Sequence, residues 1–185
     1  MWSLGDEKDG YVIVGFDHDD LADGSRKAGI TFCTNDREKT KSGAWAMNDG
    51  SSFVRYDNSL AFQNLEELFD ELTEINPYIK QVSKKIRNSD MGSGYINCAC
   101  RLFLFSISEM KNNFVATDDY DEPLKNEGEY YNGFPLEYRG YFWTRSARWT
   151  SAFIKPHATI YYTGSDWGTA KYETVHNSYR YGFCI

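Results

Sequence analysis

The sequence predicts an α+β fold dominated by antiparallel strands. Short β-prone runs punctuated by Gly, Asn, Asp and Ser recur from residue 11 to the C-terminus. One early stretch, 60–72, has helical spacing. Strands and helices do not alternate regularly, as a parallel doubly wound sheet would require. At 185 residues the chain fits one domain, 1–185, that can bury a core without staples.

Taken in order, 11–16 ("YVIVGF") and 28–33 ("AGITFC") read as strands, with an acidic loop, "GFDHDDLADG", between them. Residues 36–42 are charged and read as a turn or an exposed loop, and 43–59 look irregular around Asn48-Asp49-Gly50. Leu65, Leu68, Phe69 and Leu72 then fall on one helical face, with Asn58 or Ser59 as cap and Glu66, Glu67, Asp70 and Glu71 on the wet side. Asn76-Pro77 ends or restarts this helix. Ile79, Val82 and Ile86 fit a second short helix, whereas Tyr78, Val82 and Ile86 alternating with lysines fit a strand. Residues 89–94 read as a turn, and 95–106 ("YINCACRLFLFS") as a strongly apolar run central to the core. Residues 111–133 form a long acidic, tyrosine-rich loop. The last third, 138–185, breaks into β-prone pieces that read as antiparallel strands with long loops.

The net charge of -7 and pI near 5.0 disfavour nonspecific binding to phosphate backbones, so no nucleic-acid partner is expected. No window is long and apolar enough to insert in a membrane. The start, "MWSLGDEKDG", lacks the layout of a signal peptide, so placement on a virion or cell surface would come through a larger assembly or a removed leader. Cys33, Cys98, Cys100 and Cys184 show no paired C-x-x-C spacing for zinc, and Cys98 and Cys100 on one extended strand are too far apart to bridge easily. They read as buried free thiols.

Three stretches together resemble a known family. "GFDHDDLADGSRKAGITF" (15–32), "RLFLFSISEM" (101–110), and the pair "YFWTRSA" (141–147) and "SYRYGFCI" (178–185) are similar to blocks of the bacterial and phage family catalogued as domain of unknown function 6273. Ala147 stands where that family usually has proline, and 34–58 is shorter and more charged. The C-terminal layout further resembles the C-type-lectin-like and formylglycine-generating-enzyme-like folds, which phage receptor-binding tips and retroelement-diversified variable proteins use to display changeable surfaces. The resemblance implies a C-type-lectin-like domain, with helix 60–72 on an antiparallel sheet and the 147–180 loops on one face.

Enzymatic readings find little support. The acidic loop fails the EF-hand spacing. It reads either as a noncanonical calcium site of Asp17, Asp19 and Asp23, or, preferred, as a turn whose aspartates bond backbone N–H groups with Gly24 at positive φ. His18 beside Asp17, Asp19 and Asp20 invites a triad, but neighbouring side chains in extended chain diverge. No nucleophile elbow, Walker A or dinucleotide glycine pattern occurs, and formylglycine-generating enzymes need a cysteine pair where this C-terminal half keeps only Cys184. No cofactor is expected, calcium remaining the one candidate. Arg145 in "WTRS" reads either as an anion clamp or, preferred, as a scaffold residue paired to an acid. "GFCI" reads as a closing strand with Phe183 and Ile185 buried.

What remains is the segment 147–180. From Gly128 onward lie nine tyrosines, four phenylalanines and three tryptophans, half of the chain's aromatic residues, and a core alone does not demand so many tyrosines. Arg148, His157, Tyr161, Tyr162, Asp166, Tyr172, His176 and Tyr179 are residue types of adaptable binding surfaces. Adenine randomisation of AAC codons reaches Tyr, His and Asp but not Trp, Lys or Glu. The reachable set is therefore expected on an exposed loop face, with Trp149 and Trp167 buried beneath it. The expectation is a nonenzymatic ligand- or receptor-recognition module binding a protein or glycan. The alternatives are a structural or capping domain and a calcium-dependent lectin.

Overall fold

Strand β2 (Tyr11–Phe16) buries Val12 and Val14 and leaves Tyr11, Ile13 and Gly15 half-covered, the alternation of a one-sided strand. The computed structural model that shows this describes residues 3–4, 10–34, 55–88, 94–110, 126–134, 140–148, 157–162, 167–169 and 178–185. At 3–4, 140–143, 147–148, 157–162, 167–169 and 178–179 it describes the backbone only.

A five-stranded antiparallel sheet runs in the order β1 (Ser3–Leu4), β2, β3 (Ile30–Thr34), β11 (Tyr181–Cys184), β6 (Leu102–Leu104). β11 is buried along its whole length because strands flank it on both edges. Ile185, expected to be buried, is half-covered at the chain end, where its backbone still pairs with Ile30. A register shift between Ile13 and Gly15 marks a bulge in β2, and the Val14 carbonyl there accepts the Gly133 N–H at 3.2 Å. A Cβ on Gly133 would lie 2.9 Å from the Ile13 and Val14 backbone, so only glycine lets 131–134 approach this closely.

α1 (Leu60–Glu71) forms where the apolar spacing predicts it. Ser59 caps it by accepting the Phe62 N–H, and Ala61, Leu65 and Phe69 are buried. Asn76–Tyr78 form one 3₁₀ turn, with Pro77 among its first residues. The stretch 79–86 resolves as strand β4 (Val82–Arg87), paired antiparallel with β5 (Tyr95–Cys100). The apolar run 95–106 is two strands broken at Arg101, whose guanidinium pairs with Glu66 and lies 4.1 Å over the Phe69 ring, clipping the break to α1. A one-turn helix, α2 (Ile107–Met110), follows β6.

The C-terminal pieces form a four-stranded sheet, ordered β10 (Ser178–Tyr179), β7 (Gly140–Arg148), β8 (His157–Tyr162), β9 (Trp167–Thr169). The expectation of antiparallel strands needs one correction here, since β10 pairs parallel to β7. The helix-poor, largely antiparallel arrangement is α+β. No helix among the described residues is long and apolar enough to cross a membrane. The expected turns at 36–42 and 89–93, the irregular 43–54 and the loop 111–125 lie outside the described residues.

The core gathers Phe32, Phe103, Phe105, Tyr131 and Phe183 with Leu65, Phe69, Val82 and Ile86. Each large side chain fully buried this way contributes roughly 1.5–3 kcal/mol. That apolar mass encloses a chain of charges.

Candidate functional site

The acidic loop divides its aspartates between two tasks. Asp23 Oδ1 accepts the Ser25 N–H at 2.9 Å and Gly24 has φ 71°, so this part is the self-bonded turn the sequence suggests. Asp17 adopts φ 47° and reverses the chain. That turn sends Asp19 inward, where it is 5% exposed. Asp19 therefore bonds other elements rather than its own turn. Oδ2 accepts Thr31 Oγ1 at 2.6 Å and the Tyr131 hydroxyl at 2.7 Å, while Oδ1 accepts Tyr131 and Lys84 Nζ. With both oxygens committed to protein donors, the Asp17–Asp19–Asp23 cation reading gains nothing. Among the described residues no group of three or more His, Cys, Asp or Glu is arranged to hold a metal.

Lys84 comes from the inward face of β4, between buried Val82 and Ile86. It is 2% exposed, lies 3.8 Å over the Phe103 ring, and donates to the Tyr131 hydroxyl at 2.7 Å and Glu109 Oε1 at 3.0 Å. Glu109 stands in α2, and Ser106 closes a reciprocal capping box with it. The Ser106 N–H donates to Glu109 Oε2 at 3.0 Å and the Glu109 N–H to Ser106 Oγ at 3.3 Å. Arg145 of β7 completes the chain with a two-pronged grip on Glu109, at 2.5 and 2.7 Å. Its other bonds go to the carbonyls of Leu104, Glu127 and Lys85. All five guanidinium N–H groups are thus spent on the protein. Arg145 is the scaffold residue paired to an acid, and no donor remains for an external anion. Ser146 next door donates to Glu127 Oε2 and accepts the Ile107 N–H at 2.9 Å.

Electrostatics follow from this closure. Burial alone would push Asp19 up, but the Lys84 charge and the hydrogen bonds hold it far below the usual carboxylate range. Burial likewise opposes the charge on Glu109, and Arg145 and Lys84 together keep its carboxyl low. Lys84 is raised despite burial because Glu109 and Asp19 flank it. Glu127 goes the other way. Burial raises it to about 7, outweighing the Ser146 hydrogen bond and the Arg145 charge.

The divergence expected of His18 and Asp19 does not hold, because the turn at Asp17 is not extended chain. The His18 ring stacks on Tyr131 at 3.8 Å, with Nδ1 3.6 Å from Asp19 Oδ1. The cysteines are free, and Cys98 and Cys100 bring their sulfurs to 3.3 Å, closer than an ideal strand suggests.

The residues expected to serve recognition are described, where they are described, by their backbone alone. Five of the eight occupy strands of the second sheet rather than loops. Arg148 pairs with His157, Tyr161 with Tyr141 and Gly168, Tyr162 with Gly140 and Trp167, and Tyr179 with Trp143. Tyr161 and Tyr162 hold consecutive positions of β8, and the side-chain exposure expected of the set lies outside the described residues. Asp166, Tyr172, His176 and Trp149, and the side-chain burial expected of Trp167, lie outside the described residues.

Sequence reasoning missed Lys84, Glu109, Glu127 and Tyr131 as members of a site. Two signals were present, a lysine on the apolar face of Val82-x-Lys84-x-Ile86 and the S-x-x-E box at 106–109. Asp19, Glu109, Arg145 and Cys184 each come from one of the sequence blocks that carry the family resemblance, and the fold brings all four into one network. No family model, curated protein or solved structure matches the chain, so this geometry is the ground for a functional reading.

Proposed function

We propose that the chain is a nonenzymatic recognition module of a phage or bacterial surface assembly, with a C-type-lectin-like arrangement. Its face for a protein or glycan receptor is built on the β7–β10 sheet and its connections. The supporting observation is the closure of the charged network. Arg145 has no donor left, Asp19 and Glu109 have both oxygens engaged, and apolar rings cover Lys84. Groups so enclosed hold strands together and do not meet a substrate. The Tyr-, His- and Arg-rich stretch 148–179 then supplies side chains suited to contact, on a sheet held by β7, which itself carries Arg145 into the core.

Glycan arrays and pull-downs on intact bacterial cells test this. Replacing Tyr161 and Tyr162 with Ala should abolish binding while the thermal transition stays cooperative. Binding unchanged by both substitutions would sink the recognition reading and favour a capping role in a larger assembly.

A further inference from the structure

Lys84, Asp19 and Glu109 form a water-excluded triad of amine, acid and relay carboxylate, and their arrangement goes beyond what recognition requires. We propose that Lys84 and Asp19 condense into an intramolecular amide, a covalent staple between β4 and the β2–β3 connection. Lys84 Nζ is hydrogen-bonded to Asp19 Oδ1, and an atom so placed lies about 3–3.5 Å from the carboxyl carbon, a near-attack separation. Turning the carboxyl plane about χ2, a soft torsion, leaves Cγ in place and turns its open face toward the nitrogen lone pair.

The neighbours divide the work. Nζ gives one ammonium proton to Asp19 Oδ1 along the hydrogen bond between them, and Glu109 Oε1, 3.0 Å from Nζ, holds the amine in place. The freed amine attacks Cγ. Negative charge then develops on Oδ2, which Thr31 Oγ1 at 2.6 Å and the Tyr131 hydroxyl at 2.7 Å already hold by donating to it. Collapse breaks the Cγ–Oδ1 bond while a second nitrogen proton reaches Oδ1 through Glu109. The ammonium and carboxylate thus become one amide and one water, Oδ2 remains as the amide oxygen, and Glu109 is regenerated with no outside reagent. The ion pair is the resting state, since Asp19 and Lys84 each favour the other's charge. Condensation replaces the ion pair by a neutral amide, which needs no counter-charge in the apolar core. Phe103, Phe105 and Tyr131 pack around the site and keep bulk water from reversing the reaction.

Intact-mass measurement of the folded full chain after prolonged incubation at neutral pH is the test. The expected mass is short by one water, and proteolysis should yield a branched peptide joining Lys84 to Asp19. Succinimide formation at Asp9-Gly10, Asp23-Gly24 or Asp49-Gly50 would also lose water. Hydroxylamine opens a succinimide, leaving a hydroxamate or a cleaved chain, and such a loss persists in Lys84→Met, whereas the staple resists hydroxylamine and is lost in that variant. Glu109→Gln should slow staple formation at least tenfold. Wild-type protein that is folded by circular dichroism, keeps the full sequence mass and gives no branched peptide overturns the proposal, whatever the variants do.

Discussion

Burial pushes the Glu127 carboxyl up to about 7, from an ordinary 4.5. Between those values the folded chain keeps the proton and the unfolded chain releases it. This contribution to stability is complete below the lower value and is lost as pH rises through the upper one. The loss across the window is on the order of 3 kcal/mol. Glu109 behaves oppositely. Its carboxyl is held low, so its contribution is present above the unfolded value and disappears as the pH falls below it. Melting temperatures measured from about pH 5 to about pH 7 should therefore fall in the wild type, and Glu127→Gln should flatten that fall. An unchanged slope in the variant would assign the pH dependence to another group. The Arg145–acid pairing was legible because an arginine inside an apolar strand demands an anion. Which acid it meets was not, since Glu109 lies 36 residues away.

Among the elements, β11 tolerates least change. A Cβ on Gly182 would stand 2.5 Å from Phe105 Cζ, 2.8 Å from a Phe103 ring carbon and 2.9 Å from the Phe32 carbonyl oxygen. The rings can tilt, but the carbonyl belongs to the neighbouring strand and cannot. Gly182→Ala should cost about 1–3 kcal/mol, read as a lower urea midpoint with an unchanged slope. Helix α1 was legible because its spacing, its Ser59 cap and its acidic face agree. β4 was ambiguous because Lys84 sits at an inward position where the alternation rule expects an apolar residue. The single run read over 95–106 is divided at Arg101, which turns out to Glu66 and Phe69.

At the scale of the molecule, the C-terminal strand lies inside the sheet rather than at its edge, between β3 and β6. Lys80 and Ile30 also bond backbone groups of Cys184 and Ile185. Ending the chain after Arg180 would leave the facing edges of β3 and β6 unpaired and remove buried Tyr181, Phe183 and Cys184. The truncated chain should show no cooperative thermal transition by circular dichroism. A transition like that of the full chain would mean that the sheet closes without β11.

Local chemistry by itself determined much of this protein. Alternation placed β2, helical spacing and a serine cap placed α1, and the turn residues around Gly24 placed the hairpin tip. These signals act within a few residues, where sterics and backbone hydrogen bonds decide the outcome. The parallel pairing of β10 with β7 and the meeting of Asp19, Lys84, Glu109 and Tyr131 were decided only by the tertiary structure. Periodicity tells a side chain which face to take and says nothing of its partner. A charge turned inward must find its opposite across the core, and here Asp19 finds Lys84 65 residues along the chain and Tyr131 112 residues along it.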